Sequence, residues 1–154
     1  MNRHIRHLFF SLFLIAIGQV VLAQEIQQIE PTTAIEREIE CGESQTFRIS
    51  LTAGQFLRVG AEQRGIDVTL TLMSPDEQQL IEANFTRGGG AESLSAEAAV
   101  SGDYQIKLRA AGATTLKGAY QIRLEVKPSA TTRDRQRITA ERLMIEALNL
   151  RKPD

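Results

Sequence analysis

Few side chains in this chain suit acid–base or nucleophilic chemistry. Its two histidines, His4 and His7, both fall within the first ten residues. Its single cysteine, Cys41, precedes Gly42, with Glu40 and Glu43 close by. A reactive thiolate needs a positive neighbourhood, and flanking carboxylates oppose its formation. A lone cysteine also has no second thiol in the chain to pair with. With no imidazole after residue 7, a Ser–His or Cys–His pair has no base. The expectation is that the protein is not an enzyme and that Cys41 is idle.

Acidic residues are better motivated. Asp67, Asp76, Glu77 and Asp103 sit at expected strand starts and turns. Hard oxygen donors on loops are what calcium uses, so these four are the metal candidates. No D-x-D-x-D-G loop accompanies them, and solvated turn acids are the simpler reading. Phe47, Tyr104 and Tyr120 fall in phase with inward positions, so packing is their expected role. The chain has no Trp, which weakens a glycan-binding platform of exposed rings.

What must position these residues is a set of strands. Ile66 to Met73, Asp103 to Ala110 and Ala119 to Lys127 alternate apolar and polar almost without a break. Period-two alternation buries one face of a strand and wets the other. Further runs at Ala34–Glu40, Gln45–Thr52, Gln55–Glu62, Gln79–Phe85 and Ser93–Val100 bring the expected total to eight strands. Gly and Pro punctuate them at Cys41-Gly42, Ala53-Gly54, Arg64-Gly65, Ser74-Pro75-Asp76, Ser101-Gly102 and Lys117-Gly118. The fold class is therefore all-β: an antiparallel, eight-strand, jelly-roll-like β-sandwich. Thr86 to Gly90 and Ala111 to Thr115 read as loops. After Pro128 the period becomes helical, with Ile138, Leu143, Ile145, Leu148 and Leu150 spread over more than one face. The expectation is one C-terminal α-helix of about five turns, which needs something to pack against.

The N-terminus reads as a secretory signal peptide. Arg3 and Arg6 precede the apolar run Leu8–Ile17, and Val21-Leu22-Ala23 supplies small residues for cleavage. The run is shorter than the roughly 20 residues of a membrane span. The expected divisions are 1–23 signal peptide, 24–33 extended lead-in, 34–128 β-sandwich and 129–154 helix. Removing the signal takes Arg3 and Arg6 from 18 basic residues and nothing from 19 acidic ones, leaving a net charge of −3. A mildly acidic domain lacks the basic face that nucleic acid requires. The expected location is periplasmic or extracellular, without stable membrane insertion.

Leu51-Thr52-Ala53-Gly54-Gln55-Phe56-Leu57-Arg58-Val59, Glu62-Gln63-Arg64-Gly65-Ile66-Asp67-Val68 and Ser74-Pro75-Asp76-Glu77-Gln78-Gln79-Leu80 carry a resemblance. Ser101-Gly102-Asp103-Tyr104-Gln105-Ile106 and Gly118-Ala119-Tyr120-Gln121-Ile122 extend it. These phrases resemble the N-terminal β-domain of bacterial tetratricopeptide-repeat proteins that carry a C-terminal CHAT (caspase-like) peptidase domain. That β-domain is similar to the pre-peptidase C-terminal sandwich, which can bind calcium. Thr132 to Arg142 is similar to the helical segment that opens the repeats. The resemblance spans nearly all of Ile35 to Arg151. It implies a protein partner, or following helical repeats, on the C-terminal helix. It carries no protease residue onto this sequence, which holds no peptidase His–Cys pair. The chain is then either part of a longer protein or a stand-alone form of the module. The expected function is a non-catalytic, exported interaction or spacer module without a cofactor. The alternative is a small calcium-assisted or glycan-binding sandwich.

Overall fold

A computed structural model describes residues 26–31, 34–86, 89–112 and 116–150. The expected signal peptide, part of the expected lead-in, Arg87-Gly88, Ala113 to Thr115 and the last four residues lie outside the described residues. The strands are β1 (Ile26–Gln28), β2 (Ile35–Glu40), β3 (Ser44–Leu51), β4 (Phe56–Arg64) and β5 (Asp67–Met73). They continue with β6 (Gln79–Ala83), β7 (Gly89–Glu97), β8 (Gly102–Ala111) and β9 (Lys117–Lys127), followed by the helix α1 (Thr132–Asn149).

With β1 set aside, the other eight strands pair first with last and inward from there. The pairs are β2 with β9, β3 with β8, β4 with β7 and β5 with β6, all antiparallel. One long hairpin rolled on itself gives this pattern. Two more antiparallel pairs, β4 with β9 and β5 with β8, join the roll into sheets ordered β2-β9-β4-β7 and β1-β3-β8-β5-β6. The result is a jelly roll. Its core follows the alternation: Phe47, Leu57, Val59, Val68, Leu70, Leu72, Ile106, Leu108 and Ile122 are all buried between the sheets.

Two features depart from the expected pattern. The first is β1, a ninth strand inside the expected lead-in, which lies parallel to β3 rather than antiparallel. Gln27 and Gln28 hide it from a hydrophobic reading. Its anchors are Ile29, which is buried, and the Ile29 N–H bond to Arg48 O. The second is β7, which begins at Gly89, four residues before its expected start. Gly89 and Gly90 pair with Arg64 and Gln63 of β4. The strand then ends at Glu97, and the Ala98 backbone turns to bond Gly54 and Gln55.

Helix α1 lies over β7, the edge of one sheet, and reaches β6, the edge of the other. Covering edges is a common way to block unwanted strand pairing. On the opposite open side, the Arg37 side chain of β2 hydrogen-bonds Gln27 of β1. The helix starts with a capping box: the Asp134 N–H donates to Thr131 Oγ1 at 3.2 Å, and the Thr131 N–H donates to Asp134 Oδ2 at 3.0 Å. Lys127 Nζ donates to Asp134 Oδ1 at 2.8 Å and also sits 4.9 Å from the Phe56 ring centre. Phe56, Ala130 and Ile138 form a small apolar cluster of their own beneath the first turns. Arg135 forks onto Glu97 at 3.1 and 3.2 Å.

Strand phase can be tested directly. Leu70 is fully buried, while Thr69 points outward beside Asn84. Leu70→Asp should cost several kcal/mol, comparable to a typical total stability of about 5–15 kcal/mol. Thr69→Asp should cost about 1 kcal/mol or less. Equal loss in urea denaturation would mean that the phase is wrong. The helix start has a pH signature. The Lys127 ammonium, together with the Thr131 hydroxyl and N–H, holds the Asp134 carboxyl well below the usual range. A depressed acid stabilises the fold above its unfolded value of about 3.9. That contribution fades as pH falls below this value. Helix content followed by circular dichroism should therefore drop on acidification below about pH 4. Asp134→Asn should flatten that drop, and an unchanged acid profile would remove Asp134 as its source.

Candidate interaction site

The four acidic candidates divide between the two ends of the sandwich. Asp67 opens β5, in register with Ala111 at the end of β8. Asp103 lies at the start of β8, opposite Ser50, whose hydroxyl donates to Asp103 Oδ1 at 2.6 Å. Asp76 and Glu77 belong to the β5–β6 turn, where the Ser74 hydroxyl donates to Asp76. That turn sits at the Asp103 end. A side-chain carbon on Gly102 would meet the Pro75 ring at 2.8 Å. Six strand steps of about 3.3 Å hold Asp67 roughly 20 Å from the others. Glu77 has a φ of 62°, the left-handed conformation of a tight hairpin, and its N–H bonds Ser74 O at 3.0 Å. Among the described residues no three His, Cys, Asp or Glu side chains stand together as a metal site. Calcium asks for six to eight oxygens. The positions of Asp67, Asp76, Glu77 and Asp103 therefore give no support to one shared ion.

Cys41 is half-buried in the β2–β3 turn, where its thiol donates to Gly112 O at 2.9 Å. Glu43 bonds the Glu40 N–H beside it. The sulfur thus acts as a local donor between two turns. His4 and His7 lie outside the described residues.

Glu92 is a residue that the sequence reading passed over. It is fully buried on the inward face of β7. Its carboxylate accepts from the Phe85 N–H at 2.7 Å, the Thr86 N–H at 2.6 Å and the Thr86 hydroxyl at 2.7 Å. Gln63 Nε2 approaches the same carboxylate at 3.3 Å, while Gln63 Oε1 accepts the Val68 N–H. This network ties the β4–β5 turn and the end of β6 to β7. Its only sequence signal is a charge at an even position, in phase with Leu94 and Ala96.

Two surfaces remain. On the outer face of the β2-β9-β4-β7 sheet, Gly60 leaves a shallow cleft between Arg58, Glu62, Ser93, Gln121, Arg123 and Glu125. Arg123 is folded back along its own strand, donating twice to Gln121 Oε1 at 3.0 and 2.7 Å. At the cleft's helix side, Ser95 donates to Glu141 Oε1 at 3.2 Å. Burial pushes the Glu141 carboxyl up, against the pull of Ser95, Arg137 and Arg58. Arg58 Nε and Glu141 Oε2 are both buried without a hydrogen-bond partner among the described residues.

The second surface is apolar. Leu143 and Met144 of α1 and Leu150 at its C-cap are exposed, as is Leu80 on the neighbouring edge strand β6. Gln79, Leu80, Ile81 and Glu82 of β6, Arg142, Ile145 and Glu146 of α1 and the C-cap Leu150 line a groove between strand and helix. The inward side of α1 is partly used: Ile138 is buried, and Ile145 packs on the main core. An amphipathic helix has one apolar stripe; α1 has two, and the sandwich covers one. This surface is the stronger candidate, because it leaves large apolar side chains exposed on and beside the sole helix among the described residues.

No protein-family model matches the chain, and comparison with curated proteins finds no match. Solved structures do match. One is Aeromonas hydrophila PliG, a periplasmic lysozyme inhibitor of g-type lysozyme. It aligns with a TM-score of 0.55 at 11% identity, covering 66% of this chain and 96% of that one. Another is the pre-peptidase C-terminal domain of a collagenase from Bacillus anthracis. Its TM-score is 0.54 at 13% identity, covering 67% of this chain and 97% of that one. At these identities the likeness is one of fold, and the fold of this chain is a β-sandwich similar to both.

Proposed function

We propose that this chain is an exported, non-catalytic interaction or spacer module, with its contact surface on α1. The observation that carries the reading is the apolar outer stripe of that helix, set on a sandwich that fills only the inner one. The two similar folds, an inhibitor and a pre-peptidase C-terminal domain, favour binding over catalysis. The Arg3, Arg6 and Leu8–Ile17 leader pattern favours export. No helix among the described residues is long and apolar enough to cross a membrane. The phrases shared with tetratricopeptide-repeat CHAT proteins favour a place at the front of such an architecture, where α1 would meet helical neighbours. Among the described residues no cluster of three His, Cys, Asp or Glu side chains supports the calcium-assisted alternative.

Site-specific photo-crosslinking in the native host tests the reading. A crosslinker at Leu143 should give discrete adducts. One at Thr71, on the outer face of β5, should give none. Equal yields at both positions, or no adduct at Leu143, would defeat the α1 contact. The same purified protein should begin at Gln24 on N-terminal sequencing. Intact Met1 in the membrane fraction would defeat export with cleavage.

A further inference from the structure

Gly60 stands in the middle of β4, where a glycine weakens a strand. The usual structural reasons for one are absent. Its φ lies outside the left-handed range. The pairing of β4 with β7 and with β9 runs through it in continuous register, so it marks no bulge. A side-chain carbon there would meet no atom within 4 Å, so no packed neighbour excludes one. What remains is a strand position left bare for a group that approaches from outside. The cleft above it holds about 350 Å³.

Register sets the side chains around this floor. Arg123 and Ser93 flank Gly60 on its two sides, and Arg58 lies two residues along β4 toward the helix. The other outward cations of this sheet each pair with a carboxylate: Arg64 with Glu36, Lys117 with Glu38 and Lys127 with Glu125. Arg58 and Arg123 form no ion pair among the described residues. Arg58 Nε is buried without a hydrogen-bond partner, and Arg123 donates to the neutral Gln121.

Three acids bear on the two arginines. Glu125 is in register with Arg58 but is held by Lys127. Glu62 lines the far end of the cleft, four strand steps or about 13 Å from Arg58. Glu141 feels the pull of Arg58, yet its Oε1 accepts from Ser95 and its Oε2 has no partner. The arginine corner is thus left with donors and no acceptor.

We propose that the cleft over Gly60 binds a carboxylate, held by the Arg58 and Arg123 guanidiniums with the Ser93 hydroxyl as a further donor. A guanidinium presents paired N–H groups at the spacing of carboxylate oxygens. The bare floor lets the group descend between the arginines. Its source is a small free acid or an acidic side chain of a peptide. The site is separate from the outer stripe of α1, so either can fail without the other.

Nuclear magnetic resonance titration of the isotope-labelled processed chain, residues 24–154, tests this at about pH 7, where carboxylates are ionised. The probes are succinate and N-acetyl-glutamate amide, at constant ionic strength, with N-acetyl-glutamine amide as the uncharged control. Saturable shifts of the Gly60 and Ser93 amides and of Arg58 Nε–H are expected with one carboxylate or both, and none with the control. Tighter binding of succinate names a free acid as the source, and tighter binding of the glutamate probe names a peptide. Arg123→Gln should weaken binding about tenfold, and Glu62→Gln should tighten it. Gly60→Val should abolish the Ser93 shift while the melting temperature stays the same or rises, since the space is open and a β-branched residue suits a strand. No saturable shift with either carboxylate, equal shifts with the control, or binding indifferent to both Gly60→Val and Arg123→Gln would each overturn the proposal.

Discussion

Every strand from β2 to β9 depends on one constraint: two sheets must each bury a single face against the other. In the rolled-hairpin order, six of the seven connections among these strands cross from one sheet to the other. A slip of one residue in any strand would turn its apolar set to water. The core therefore fixes register far from itself. Leu57, Val59 and Ala61 face inward on β4, and so Phe56, Arg58 and Gly60 must face outward. That single consequence supplies both the cleft floor at Gly60 and the ring at Phe56 on which the helix docks.

The docking of α1 follows from the same phase. Phe56 is a large apolar residue on the solvent side of its sheet, and it needs cover. Ala130 and Ile138 provide it. Polar contacts then orient the helix: Lys127 to Asp134, Arg135 to Glu97 and Ser95 to Glu141. The exposed pair Arg135–Glu97 adds little stability by itself, whereas Asp134 is held from three sides. The helix is thus pinned at its first turns. Beyond Glu141, Ile145 is the helix residue that packs on the main core among the described residues.

Much of this was legible from sequence because antiparallel strands with one wet face write their phase into alternation. Tyr104, Ile106 and Leu108 on β8, and Tyr120, Ile122 and Leu124 on β9, are buried as their spacing implies. The misses have physical reasons. β1 is three residues long and takes its anchor from Ile29 just beyond its end, so alternation has nothing to work on. The start of β7 is written in Gly89 and Gly90, whose backbone pairs with β4 without any side-chain signal. Glu92 is a buried charge satisfied by backbone groups from another segment, and no local pattern announces that. Asp67 lies at the opposite end of the sandwich from Asp76, Glu77 and Asp103, a separation not written in sequence because turn residues at opposite ends of one strand look alike. The helix was legible as having two apolar faces, but which face the sandwich takes depended on Phe56.

The most direct measurement is native-state amide exchange on the processed chain at a concentration low enough to keep it monomeric. Loosely packed elements open more readily than core strands. The account predicts that amides from Arg142 to Asn149 exchange faster than those of β5, Asp67–Met73, and slow down as a bound partner covers the outer stripe. Protection of Arg142 to Asn149 equal to that of β5 in the dilute monomer would contradict it, because the helix would then be a finished part of the sandwich with no face left to fill.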